Sequence, residues 1–197
     1  MNIKRLTAML AGALFAAVSQ QAAAAKGPEY TYAEIGYENF DGDLSNGDGA
    51  GVNISFGATD HVFLKFDYSR LFVDFSGVLP ANADADRFQV GGGAHYGITD
   101  TIDVLGALSY VDIEYSNGVP AYGDDGYLAE IGVRAMLSKA LELNATVSSL
   151  HLDGDNNTGY GVGAVFDITK TFALSGSYNH LQDDDVNEFF VGLRMGL

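Results

Sequence analysis

The side chains best equipped for chemistry occupy one phase of a two-residue alternation. Glu34, Glu38, Lys65, Asp67, Arg87, His95, Glu130, Arg134, Glu142, Glu188 and Arg194 all stand opposite an apolar stripe. Acids and bases sharing a confined face can pair and plug the space, or can line a charged pore. Catalysis asks for more: a nucleophile, a base and an orienting group within reach of one another. His95 has no such companions in its segment and reads as a hydrogen-bonded network member. Ser149 and His151 alternate on the apolar side of one segment with no acid beside them. Asp60-His61 falls in a short turn, and Leu181-Gln182 separates His180 from Asp183. The sequence therefore predicts neither an enzyme nor a cofactor.

Metal chemistry is the other possibility. Asp41-Gly42-Asp43-Leu44-Ser45-Asn46-Gly47-Asp48 and Asp153-Gly154-Asp155-Asn156-Asn157 faintly resemble calcium loops. In both, glycine arrives one position late, and Val52 and Ala164 stand where a bidentate acid belongs. Solvated hairpin loops are the expectation. Weak Ca²⁺ or Mg²⁺ binding at Asp41, Asp43, Asp48, Asp153 and Asp155 is the alternative.

The elements that position these groups are strands. In Phe88-x-Val90-x-Gly92-x-Ala94-x-Tyr96 every second residue is apolar or small, with Arg87, Gln89, Gly91, Gly93 and His95 on the other phase. A period of two means β-structure. The device recurs in Val62–Tyr68, Val104–Tyr110, Tyr160–Phe166 and Phe172–Tyr178. Rings at both ends of an apolar stripe are what a lipid-facing strand needs, because Tyr and Phe settle at the membrane–water boundary. One girdle comprises Tyr37, Tyr68, Phe88, Tyr110, Tyr127, Tyr160, Tyr178 and Phe189; the other comprises Phe56, Tyr96, Phe166 and Phe172. From Phe88 to Tyr96 is ~26 Å along a strand, or ~20 Å of membrane normal once tilted.

Strands are expected at about 30–40, 49–58, 62–71, 86–97, 102–113, 126–137, 141–151, 158–167, 171–181 and 187–197. They form an all-β, antiparallel, up-and-down transmembrane barrel, with eight strands and one loop hairpin as the alternative. Short turns (Gly57-Ala58-Thr59-Asp60, Gly97-Ile98-Thr99-Asp100, Leu137-Ser138-Lys139, Asp167-Ile168-Thr169-Lys170) alternate with long acidic loops. Short turns belong to the periplasmic side and long loops to the outside. Leu71, Phe72, Val73, Phe75, Val78 and Leu79 are too apolar for a free loop. Either the strands continue above the membrane there, or the loop packs on a neighbour. In the closed barrel, first- and last-strand partners should sum to about 226–228, which sets Arg194 near Glu34.

Composition agrees. The 197 residues are 47% hydrophobic and only 18% charged, with 25 Gly and no Cys. Ten bases against 26 acids argue against nucleic acid as a partner. Lys4 and Arg5, the apolar run Leu6–Val18 and the small residues Ala22–Ala25 read as a cleaved signal peptide over 1–25, leaving 26–197 as one barrel domain.

Three stretches carry a resemblance: Tyr30-x-Tyr32-x-Glu34-x-x-Tyr37, Asp125-Gly126-Tyr127-x-x-Glu130-x-Gly132-Val133-Arg134, and Glu188-Phe189-Phe190-Val191-Gly192-x-Arg194. The chain resembles the small outer-membrane β-barrel proteins of Gram-negative bacteria, the OmpA-, OmpX- and opacity-protein-like group, and within it the small acidic xanthomonad-type barrels. The resemblance implies an outer-membrane location and contact with lipid and lipopolysaccharide. It also implies recognition by the barrel-assembly machinery, through Phe189, Val191, Leu193, Met195 and Leu197. Members of that group range from structural barrels to adhesins and narrow pores. The expected role is structural or interactive at the cell surface, through the loops and an extracellular partner, with the lumen filled by charge. A narrow passive pore for small solutes is the alternative.

Overall fold

Four of the connections are one device used repeatedly. The amides of Ala58, Ile98, Leu137 and Ile168 each donate to the carbonyl four residues ahead, at 2.8–2.9 Å. The Thr59 hydroxyl accepts from the amides of His61 and Val62, and the Thr169 hydroxyl from those of Thr171 and Phe172. Thr99 and Ser138 make the corresponding bond to residues 101 and 140. A small hydroxyl residue can cap amides that the ladder leaves free, which is why Ser and Thr recur at these turns.

The computed structural model describes residues 27–43, 45–75, 82–116, 122–183 and 185–197. The expected signal peptide lies outside them, as do Val78 and Leu79. The turns join ten strands: β1 Tyr32–Asp41, β2 Ser45–Gly57, β3 Val62–Phe75, β4 Asn82–Gly97, β5 Ile102–Ser116, β6 Tyr122–Met136, β7 Leu141–Leu152, β8 Asp155–Asp167, β9 Phe172–Leu181 and β10 Val186–Gly196. Each pairs antiparallel with its sequence neighbours, and β1 pairs with β10 to close the barrel. The eight-strand alternative is excluded. At the seam Glu34 lies opposite Arg194 and Gly36 opposite Gly192. A Cβ at either glycine would come within 2.7 Å of the Phe190 ring, so this glycine pair makes room for that ring.

Several strands outrun the expected bounds. β4 starts at Asn82 rather than near 86, β6 at Tyr122 rather than 126, and β3 continues to Phe75. Of the two readings for the apolar second loop, the strands do continue above the membrane. Beyond the girdle the outward face meets water and becomes polar, as in Asp84 and Asp86, while the inward face keeps Ala83 and Ala85 buried. Backbone pairing continues although composition there resembles a loop.

At the opposite end, β1 begins at Tyr32 rather than at 30. Asp153 and Gly154 both have positive φ (47° and 96°), as the two-residue type I′ hairpin between β7 and β8 requires. The outward surface is apolar and uncovered, with Ile131 74% and Val191 63% exposed. That is the pattern of a protein whose solvent on that side is lipid.

Candidate functional site: the lumen

Register assigns every side chain to a face. Glu34, Glu38, Lys65, Asp67, Arg87, His95, Glu130, Arg134, Glu142, Glu188 and Arg194 all point inward. The twelve girdle residues point outward: Tyr37, Phe56, Tyr68, Phe88, Tyr96, Tyr110, Tyr127, Tyr160, Phe166, Phe172, Tyr178 and Phe189. At the loop-side girdle the Tyr68 hydroxyl donates to Asp86 (2.6 Å) and the Tyr178 hydroxyl to Asn187 (2.7 Å). A ring in hydrocarbon with its hydroxyl bonded to a wet polar group suits the boundary of a membrane.

The lumen has three levels. At the turn end, residues 27–31 fold inward across the floor, with Pro28 and Tyr30 buried. The Tyr30 carbonyl accepts from Ser55 Oγ (2.7 Å), and the Thr31 carbonyl accepts from the Leu197 amide (3.1 Å). The Tyr30 ring stacks on His95 at 3.7 Å between centroids, and the Arg134 guanidinium lies 4.4 Å from its centroid. His95 Nδ1 is 3.1 Å from Asp103 Oδ2. Arg134 grips Glu142 with two bonds of 2.7 and 2.9 Å and donates a third to the Glu29 carbonyl at 2.8 Å. Such a planar fork suits a buried carboxylate. At the seam Arg194 faces Glu34 more loosely, at 3.4 and 3.5 Å, and lies 3.8 Å from the Tyr32 ring centroid. Glu29 itself sits outside the strands. Its side chain is exposed on one side, and partial desolvation first, then the charge of Asp167, pushes its carboxyl above the ordinary value.

A belt of charge crosses the middle. Lys65 on β3 reaches Glu130 on β6 at 2.7 Å and lies 3.8 Å from Asp67. Arg87 on β4 bridges Glu38 on β1 and Glu188 on β10, the latter at 2.7 Å. These bonds span the bore and do not merely link neighbouring strands.

The outer level carries an apolar lining beside a smaller set of polar groups such as Ser45, Ser148 and Asn179. Leu71, Val73 and Ala85 form a buried cluster, and Phe40 and Tyr115 pack against it. Ile113, Leu128, Leu150, Leu152, Leu181 and Val186 carry the apolar lining round to β10. A continuous cavity of about 920 Å³ is lined from Tyr30 at the floor to Leu152 and Leu181 at the outer end.

Sequence reasoning missed the floor plug and this apolar level. Tyr30 and Tyr32 share the phase of Glu34, and that phase alone marks them as inward-facing. The acidic loops, by contrast, are not brought together. Asp41 lies at the β1 end, Asp48 faces outward, and Asp153 and Asp155 flank the hairpin glycine. Among the described residues no group of three or more His, Cys, Asp or Glu side chains could hold a metal ion. Ser149 donates its hydroxyl to Asn156 at 2.8 Å, and His151 stacks on Tyr127 at 5.0 Å, so neither is oriented toward the other.

A family model for the outer membrane protein beta-barrel domain matches residues 8–195. Among solved structures, the NanC porin is 9% identical with a TM-score of 0.52, over 84% of this chain and 100% of that one. The beta domain of the Bordetella autotransporter BrkA is 10% identical with a TM-score of 0.52, over 84% and 98%. The translocator domain of the autotransporter NalP from Neisseria meningitidis is 12% identical with a TM-score of 0.50, over 98% and 96%. At these identities the likeness is one of fold alone. Among curated proteins none matches.

Proposed function

The chain belongs to the outer membrane protein beta-barrel domain family, and from that premise we propose that it is a structural, surface-displayed barrel whose lumen does not conduct freely. The observation that carries this reading is the crossed pair of bridges in the belt: β4 to β1 and β10 through Arg87, and β3 to β6 through Lys65. Ionised groups held by partners across a narrow bore resist displacement, because freeing one leaves another charge buried and unpaired. The floor residues narrow the bore further below it. In this role the outward face meets lipid and lipopolysaccharide, the assembly machinery reads β10, and the strand extensions meet an extracellular partner. No catalytic step and no cofactor enter the proposal.

Planar-bilayer recording tests it. The wild-type barrel should be silent at moderate voltage, and Arg87→Ala combined with Lys65→Ala should introduce current steps. Regular steps from the wild-type protein would overturn the closed-lumen reading in favour of a narrow passive pore. One observation favours that second reading: the cavity is continuous from floor to outer end. The fold-level likeness to a porin fits it as well.

A further inference from the structure

The geometry points to a binding site for a small neutral amphiphile in the outer half of the lumen. This goes beyond the question of conductance and holds whether or not the belt beneath it passes ions. Barrel interiors are ordinarily polar. Here, above the belt, the half-buried side chains of Phe40, Tyr115, Leu150, Leu152, Leu181 and Val186 face the cavity from β1, β5, β7, β9 and β10. Apolar lining on several walls of a cavity, with a limited set of polar groups among it, is the usual form of a small-molecule site; here the polar set includes Ser45, Ser148 and Asn179, with Asp43, Asp183 and Asp185 towards the loops. The enclosing barrel sets the size of the occupant: the whole lumen holds about 920 Å³, enough for a small molecule but not for a folded partner.

A polar counterpart lies one step further in, at the level of the belt, where Gln89 follows Arg87 on the inward face of β4. The Gln89 side chain on β4 lines the cavity, is only 9% exposed, and its Nε2 has no hydrogen-bond partner. An unpaired buried donor favours a ligand that brings an oxygen acceptor. The belt decides the charge of that group. Glu38, Asp67, Glu130 and Glu188 outnumber Lys65 and Arg87, and both bases are already committed to these acids. A carboxylate head would be desolvated in a net-negative layer that offers it no free cation among the described residues. An alcohol, phenol, amide or ester oxygen carries no such penalty. The ligand therefore lies with its hydrocarbon part against Leu150, Leu152 and Leu181 and its oxygen toward Gln89.

The test is methyl-labelled NMR on the folded barrel in lipid nanodiscs, titrated with n-octanol and, separately, with sodium octanoate at pH 8. Octanol should shift the methyls of Leu150, Leu152, Leu181 and Val186 saturably, and octanoate should bind about tenfold or more weakly. Gln89→Leu should weaken octanol binding about three- to tenfold. Shifts that grow without saturation, or that appear only at outward methyls such as Leu64, Leu108 and Leu193, mean partition into the bilayer and overturn the site. Octanoate binding as tightly as octanol overturns the neutral-ligand assignment, as unchanged affinity in Gln89→Leu overturns the position of the head group. The wild-type titration needs no variant, so the site remains testable if Gln89→Leu fails to assemble.

Discussion

The two ends of the lumen fill the same narrow bore by opposite means. In the belt, long charged side chains span the space and end on partners from distant strands, as Arg87 does on Glu38 and Lys65 on Glu130. At the outer end, apolar side chains such as Val73 and Ala85 pack along their own stretch of wall and leave room in the middle. A charge must find its counter-charge wherever that lies, so polar filling crosses the bore. An apolar group gains by covering its nearest neighbours, so apolar filling stays on the wall. The difference teaches that obstruction and vacancy can follow from side-chain chemistry alone, with the strand geometry unchanged.

Breaking the polar half should have the largest effect. Arg134→Ala leaves Glu142 buried with its fork removed, and should lower stability in urea by about 3–5 kcal/mol. Adding Glu142→Ala should restore part of that loss, whereas equal loss in the single and double variants would remove the pair from this account. In the apolar half, Val73 is 2% exposed, and Val73→Ala deletes two methyl groups for about 2 kcal/mol by the same measurement. A larger loss there than for Arg134→Ala would invert the ranking of the two halves. The seam pair sharpens the polar side of the comparison. Arg194 and Glu34 meet at 3.4 and 3.5 Å rather than the 2.7 and 2.9 Å of Arg134 and Glu142. A double-mutant cycle should therefore give a smaller coupling at the seam, about 1 kcal/mol.

The smallest effect belongs to the plug. The Glu29 carboxyl is raised above its ordinary value, so the folded state holds that proton more tightly than the unfolded chain does. The penalty for ionising it is present at neutral pH, shrinks as pH falls through the raised value, and is gone below the ordinary carboxylate range. Glu29→Gln should slow amide exchange at Tyr30 and Thr31 relative to wild type at pH 7. At a pH below the ordinary carboxylate range the two proteins should converge.

Much of this was legible because lipid and lumen impose opposite tastes on alternate residues. Phe88-x-Val90 and Arg87-x-Gln89 could hardly exchange faces, and one phase fixed early propagates through each hairpin to the Glu34–Arg194 register. The strand ends were less legible. Asp84, Asp86, Asp112 and Glu114 face water above the girdle, where a polar outward residue is equally at home in a strand or in a loop. The apolar outer level was hidden for a related reason. Leu150 and Leu152 lie on the lumen phase, yet an apolar residue near a strand end carries no mark of which solvent it avoids. The spacing of Tyr30 fits a strand and its phase faces inward, but only its tertiary partners, Ser55, His95 and Arg134, show that it leaves the strand to cross the floor.

Those partners also fix when the plug can dock. The groups that hold residues 27–31 come from β2, β4 and β6 and from Leu197, directly after β10. The stretch leading into β1 cannot complete its contacts until β10 has paired and the sheet has closed on itself. It is early in the chain and late in the folding order. Resistance of the 27–31 backbone to proteolysis would thus report a finished cylinder and distinguish it from an open sheet still awaiting its last strand.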